Sequence, residues 1–101
     1  MGSVKMNLYH ITDFTHLNSI LKYGLLGNPI VYVTTSVTAC LAIRKCQEEL
    51  YEKRKDVGFV IFTFDSMDFQ LLDDPHCTLV NNKPVAFMIY ADIPASLLSI
   101  L

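Results

Sequence analysis

A histidine at the end of the first apolar stretch is the residue of this chain best placed to bind a ligand. His10 lies within residues 6–11, which predict a strand, and Thr12 or Asp13 follows as the predicted N-cap of a helix. Free N–H groups and partial positive charge gather at a helix start, so this junction favours polar ligands. A histidine in an apolar strand is either such a ligand contact or a buried, hydrogen-bonded ring, and the residues alone leave both open.

The spacing after His10 predicts a helix and then a turn. The residues that recur on one helical face are Phe14, Leu17, Ile20 and Leu21. Gly24 stands where a C-terminal residue of positive φ is wanted, and residues 27–29 (Gly-Asn-Pro) are typical of a turn. The helix that must hold His10 in place is therefore expected to end at residue 23.

A second helix is predicted behind a short β-branched strand at residues 30–34. Ser36 is its expected N-cap, and the helix is predicted to run to about Lys53. Its apolar row consists of Ala39, Ile43, Cys46 and Leu50. This row is the face that the sequence predicts against the sheet.

Two later stretches predict further strands. Residues 57–64 are apolar on both alternations, which is typical of a central strand covered on two faces, and residues 85–90 predict another strand. Residues 93–98 predict a final short helical segment. We therefore predict one α+β domain over residues 1–101, with a small mixed sheet and two main helices, and we interpret residues 1–5 as disordered or tag-derived.

Charge and cysteine content narrow the function classes. The net charge is −2, and the one dense charged run, residues 44–55, alternates basic residues with glutamates, as on a solvated helix face. Charge therefore does not point to nucleic acid. Three cysteines without a CxxC motif favour a reducing, cytoplasmic setting, and no apolar run is long enough to span a membrane. The spacing of Asp73, Asp74, His76 and Cys77 fits no tetrahedral zinc pattern, so no metal site is predicted.

Three segments of the chain together resemble a known fold. The first is Leu8-Tyr9-His10-Ile11-Thr12, followed by Leu17, Ile20, Leu21, Gly24 and Leu25. It resembles the opening of ADP-ribosyltransferase-fold proteins and is most similar to the DarT-like DNA ADP-ribosyltransferases. Residues 30–36, which lead into the second helix, resemble the second motif of that fold, a layout shared by RNA 2′-phosphotransferases. Residues 90–94 (Tyr-Ala-Asp-Ile-Pro) resemble the exit from its last strand.

This resemblance implies NAD as the cofactor and a set of binding residues. His10 would donate a hydrogen bond to a ribose hydroxyl, the backbone of Ile11 would meet the nicotinamide amide, and Tyr32 would pack on the nicotinamide ring. The full implied set is His10, Ile11, Thr12, Tyr32, Thr34 and Ser36. The alternatives are a core position for Tyr32, and a strand end and a helix cap for Thr34 and Ser36.

The catalytic glutamate of the DarT-like group has no counterpart here. The matching position is Phe87, whose ring has neither charge nor proton affinity, and all three glutamates lie at residues 48–52. The phosphotransferase route needs several arginines, and only Arg44 and Arg54 are present. We therefore expect an ADP-ribosyltransferase-like domain that binds NAD or an ADP-ribose-type ligand, with no catalytic residue assigned. Transfer to a macromolecule, nucleic acid or protein, stays open. The alternative is a catalytically silent scaffold that acts as a protein-binding module or inhibitor.

Overall fold

The computed structural model describes residues 6–66, 69–73, 79–80 and 83–101. The strands are β1 (Asn7–Asp13), β2 (Val31–Thr34), β3 (Phe59–Asp65), β4 (Leu72–Asp73), β5 (Leu79–Val80), β6 (Lys83–Pro84), β7 (Ala86–Ile89) and β8 (Ser99–Ile100). The helices are α1 (Leu17–Tyr23) and α2 (Val37–Leu50), with 3-10 turns at Phe14–His16, Glu52–Asp56 and Ala95–Leu97. Residues 1–5 and three members of the rejected metal group, Asp74, His76 and Cys77, lie outside the described residues.

Six of the described strands form one sheet in the order β4-β7-β2-β1-β3-β8, and β5 pairs separately with β6. The predicted α+β class with two helices is confirmed. The predicted mixed sheet is wrong, because every pairing among the described strands is antiparallel. Since β2 and β3 both run antiparallel to β1, they run in the same direction and α2 connects them. A helical connection commonly joins two strands of the same direction, as α2 does here, but β2 and β3 are not neighbours in the sheet because β1 lies between them.

The hydrophobic core lies on the sheet face that α1 covers, which we call the α1 face. Leu8, Val33 and Phe62 point to this face from three neighbouring strands, and α1 adds Ile20 to the same cluster. Strand β3 is also buried on its other face, where Ile61 is 7% exposed. The prediction of a central strand covered on two faces is therefore confirmed.

The opposite face, which we call the α2 face, is covered in part by α2. Ser36 caps this helix as predicted, because its Oγ accepts a hydrogen bond from the Ala39 N–H at 3.0 Å. The predicted apolar row is wrong. Cys40 and Arg44 are the buried residues of α2, whereas Leu50 is 76% exposed. Arginine is counted as polar when hydrophobic periodicity is assessed. Its methylene chain nevertheless packs like an apolar side chain when the guanidinium is paired.

Arg44 anchors α2 to the sheet, so the prediction of a solvated helix face is wrong at this residue. Its guanidinium donates to the carboxylate of Asp13, to Glu48 at 3.3 Å and to the carbonyl of Val57 at 2.8 Å, and it lies over the Phe59 ring. Charged groups are buried at an acceptable free-energy cost only when they are paired and hydrogen-bonded in this way.

The pairing with Arg44 also explains why Asp13 does not cap α1. Strand β1 continues through Thr12 to Asp13, and a 3-10 turn follows before α1 begins at Leu17. His16 is the N-cap residue of α1, and neither it nor Asp13 makes a side-chain cap hydrogen bond. The predicted helix cap at Thr12 or Asp13 is therefore wrong.

The loop after α1 is bound to the C-terminal segment. Gly24 has a φ of 81°, as expected, and a Cβ at this position would lie 2.1 Å from the Ile93 carbonyl oxygen. The backbones of Leu25 and Ile93 exchange two hydrogen bonds, of 2.9 and 2.7 Å. Beyond the predicted helical segment, which is only a 3-10 turn, β8 adds an edge strand that the sequence did not predict.

Candidate functional site

Strands β1 and β2 separate next to His10. Strand β1 pairs with β3 along its whole length, but its pairing with β2 is a single bridge between Tyr9 and Thr34. Beside this separation lies a cleft of about 240 Å³, which we call the His10 cleft. Its lining residues are His10, His16, Ser19, Ile20, Gly24, Leu25, Leu26, Ile30, Val31 and Tyr32. The cleft therefore brings together the middle of β1, the start of α1 and the start of β2. The prediction that His10 ends its strand is wrong, because β1 continues for three residues beyond it.

The hydrogen bonding of the His10 ring determines where its proton lies. Nδ1 is 2.7 Å from the backbone carbonyl oxygen of Tyr32, which can only accept, so Nδ1 carries the hydrogen and donates it. No described residue bonds Nε2. Because no buried side-chain nitrogen or oxygen among the described residues lacks a partner, Nε2 must be open to solvent. A neutral His10 therefore keeps an unused acceptor lone pair on a ring that lines the cleft.

The surroundings of His10 favour the neutral ring. Burial lowers the pKa of His10. The hydrogen bond to the Tyr32 carbonyl acts in the opposite direction, but it offsets only part of the effect of burial. The residues that line the cleft include no aspartate or glutamate that would hold a proton on the ring. Near neutral pH the ring is consequently an uncharged hydrogen-bond acceptor.

Two of the three predicted binding residues near His10 do not line the cleft. Tyr32 does line it, with its carbonyl on His10, but strand alternation points its half-exposed side chain to the α2 face. Ile11 lies on that same α2 face, where it pairs with Ile61. Thr12 lies on the α1 face without reaching the cleft lining.

Thr34 and Ser36 lie on the α2 side and hold the start of α2. Thr34 is 3% exposed, and its hydroxyl donates a hydrogen bond of 2.9 Å to the Ser36 carbonyl. Because the hydroxyl has only one hydrogen, the Cys40 thiol must be the donor in its 3.0 Å contact with the Thr34 oxygen. Burial raises the pKa of the Cys40 thiol and keeps it protonated, although the bond to Thr34 acts in the opposite direction. Both hydroxyls thus make the structural contacts that their sequence positions also allowed.

Sequence reasoning missed three residues that shape the cleft. His16 and Ser19 line it from the 3-10 turn and α1, and both are exposed. Asp92 supports one wall from outside, because its Oδ1 accepts a hydrogen bond of 2.7 Å from the Gly27 N–H. Asp92 follows the strand predicted at residues 85–90, and this position could have indicated a role near the site. Nothing in the sequence distinguishes His16 from a surface histidine.

Phe87 occupies the position that matches the missing glutamate, on the same sheet face as His10. In the ladder it pairs with Val33 of β2 and with Asp73 of β4, and its ring packs against the core. Asp73 is exposed and is directly opposite Phe87, three strands from β1, or about 14 Å at ~4.8 Å per strand. No glutamate lies in this row, since Glu48 pairs with Arg44 on the α2 face.

Comparison with known proteins identifies no relative. No family model matches the chain, and neither a curated protein nor a solved structure matches it. The ADP-ribosyltransferase resemblance of the opening motif therefore stays a prediction.

Proposed function

We propose that this domain binds NAD or an ADP-ribose-type ligand in the His10 cleft. The observation that carries the proposal is the unpaired, solvent-accessible Nε2 of a neutral imidazole in an otherwise mainly apolar cleft. A few positioned polar groups among apolar walls are what orient a small-molecule ligand. A ribose hydroxyl can donate the hydrogen bond that Nε2 is able to accept.

The size of the cleft suits part of a dinucleotide. A volume of about 240 Å³ lies below the usual range for pockets that enclose a whole drug-sized ligand, roughly 300–1,000 Å³. One nucleoside-sized half would occupy the cleft while the remainder follows its outer rim, where Leu26 is 59% exposed. An exposed leucine offers apolar contact area without a charge that repels phosphate.

We propose ligand binding without carboxylate-assisted transfer. A glutamate stabilises the oxocarbenium cation that develops as the glycosidic bond of NAD breaks. Phe87 stands at the matching position and contributes only apolar packing. A macromolecular acceptor, nucleic acid or protein, is needed only if transfer takes place.

Free thiols at Cys40 and Cys46 favour a reducing compartment, and we infer a cytoplasmic one. None of the helices in the described part of the chain has the length and apolarity that crossing a membrane requires.

Thermal unfolding with ligand tests this proposal. NAD or ADP-ribose at a hundred times its Kd should add about 2.7 kcal/mol to the free energy of unfolding. With binding weakened about tenfold, His10→Ala should cut the shift to about 1.4 kcal/mol at the same ligand concentration, whereas Thr34→Val, on the α2 side, should keep it in full. The absence of any shift, or an equal shift in His10→Ala, contradicts the proposal. Assay of nicotinamide release from NAD tests transfer separately, and we expect none.

A second candidate function is supported by the α2 face. Leu72, Met88 and Tyr32 pair across three neighbouring strands, and Leu72 and Tyr32 are 39% and 50% exposed. An exposed apolar row of this kind suits a protein-binding module or an inhibitor. If a purified partner binds, replacement of Leu72 and Tyr32 by Ser should abolish the complex, and His10→Ala should leave it intact.

A further inference from the structure

We propose that His10 selects ligands by hydrogen-bond polarity. Its Nε2 accepts a hydrogen bond from a ligand hydroxyl and disfavours a phosphate or carboxylate oxygen at the same point. This inference rests on the proposed binding function and specifies the ligand group that the cleft recognises. It also reverses the bond direction that the family resemblance implies, in which His10 donates.

The contact with Tyr32 determines the position of the ring proton. A carbonyl oxygen has no hydrogen to give, so the 2.7 Å contact between Nδ1 and Tyr32 requires the hydrogen on Nδ1. A neutral imidazole has one N–H only. Nε2 is left as an acceptor for as long as the ring is neutral, because the Tyr32 carbonyl holds the single hydrogen on Nδ1.

The residues around the His10 ring determine whether it stays neutral. The polar residues that line the cleft with His10 are His16 from the 3-10 turn, Ser19 from α1 and Tyr32 from β2, while Phe62 of β3 pairs with His10 in the ladder. None of these is a carboxylate. Nothing in the lining holds His10 in its cationic form, in which Nε2 would become a donor.

A hydroxyl and an ionised phosphate oxygen differ in whether they bring a hydrogen to Nε2. A ribose hydroxyl carries a hydrogen that it donates to the Nε2 lone pair. An ionised phosphate oxygen can only accept, so it would meet that lone pair without a hydrogen between them. The partly desolvated position of His10 increases the cost of such an unmade bond.

The tautomer is tested directly on the unmodified protein. Nitrogen-15 NMR of the histidine side chains at about pH 8, where an imidazole is neutral, distinguishes a protonated from an unprotonated ring nitrogen. For His10 we expect a protonated Nδ1 and an unprotonated Nε2. The opposite tautomer, or a charged ring, overturns the inference even if nucleotides bind.

Ligand selectivity is tested with titration calorimetry at the same pH. The probes are ADP-ribose, analogues that lack one ribose hydroxyl, and analogues with one hydroxyl phosphorylated. Loss of the recognised hydroxyl should weaken binding about tenfold, and phosphorylation there should weaken it at least as much. Equal affinities for all analogues overturn the inference and leave the proposed function standing. If neither ADP-ribose nor NAD binds, both fail.

Two variants at one position separate the two ring nitrogens. In His10→Asn the amide N–H can still donate to the Tyr32 carbonyl, but no acceptor reaches the place of Nε2. We expect about tenfold weaker ADP-ribose binding and no discrimination among the analogues. In His10→Gln the longer amide returns an oxygen to that place, so we expect part of the affinity to recover. Unchanged discrimination in a folded His10→Asn protein, checked by its Tm, overturns the inference.

Discussion

The guanidinium of Arg44 and the carboxylate of Asp13 form an ion pair that joins the middle of α2 to the last residue of β1. The side chain of Arg44 is 3% exposed and that of Asp13 is 20% exposed, so the pair is largely shielded from solvent. The position of α2 on the sheet is therefore determined by a satisfied charge network in addition to apolar packing.

Removal of the arginine should be costly. We expect Arg44→Ala to lower the free energy of unfolding by about 3 kcal/mol, because Asp13 and the Val57 carbonyl each lose the hydrogen bond that the guanidinium donates. Urea denaturation measures the change. Lys45→Ala, at the exposed neighbouring position, is the matched control and should stay within about 0.5 kcal/mol of the unmodified protein. Equal effects of the two substitutions would show that Arg44 does not hold α2.

Acidification should weaken both folding and ligand binding through His10. Burial lowers the pKa of the folded ring, whereas the unfolded ring titrates at about 6.5. The unfolded state therefore takes up a proton that the folded state does not. This contribution to stability is fully present above about pH 6.5 and is lost as the pH falls through the folded pKa.

The pH dependence of His10 can be separated from that of other groups by comparison. Urea midpoints measured from about pH 8 to about pH 5 should fall less in His10→Asn than in the unmodified protein. Over the same window the affinity for ADP-ribose should decrease, because protonation removes the Nε2 acceptor. An affinity that rises on acidification would show instead that the cationic ring binds the ligand.

The hydroxyl of Thr34 should matter for stability and leave the ligand unaffected. Thr34→Val keeps the side-chain shape but removes the bond to the Ser36 carbonyl and the acceptor for the Cys40 thiol. We expect a loss of about 1–2 kcal/mol in the free energy of unfolding, with unchanged ADP-ribose affinity. Calorimetry that shows weaker binding in a folded Thr34→Val protein would return Thr34 to the ligand site.

The carboxylate of Asp92 should support the cleft from outside. Asp92→Ala removes the acceptor of the Gly27 N–H and should loosen the loop that carries Leu26 and Ile30 into the cleft lining. We expect a stability loss of about 0.5 kcal/mol and a clearer loss in ligand affinity, of about threefold. Asp92→Asn keeps an oxygen acceptor and is the control, which should bind the ligand normally.

Local sequence signals predicted the features of this protein that depend on nearby residues. The cap at Ser36, the positive φ at Gly24 and the doubly buried strand β3 each follow from one residue type or one short alternation. The strand that carries His10 was likewise predicted to within two residues of its bounds, although it continues to Asp13 and His10 lies in its middle.

Only the tertiary structure decided what these elements contact. Hydrophobic periodicity could not show that Arg44 is buried, because the burial depends on Asp13, 31 positions away in the chain. The antiparallel arrangement of the strands and the position of β8 at the sheet edge arise from pairings between distant segments, which local sequence patterns do not encode. The same holds for the His10 tautomer. The sequence by itself determined that an imidazole stands in the first strand, and the carbonyl of Tyr32 on the neighbouring strand decided which ring nitrogen carries the hydrogen.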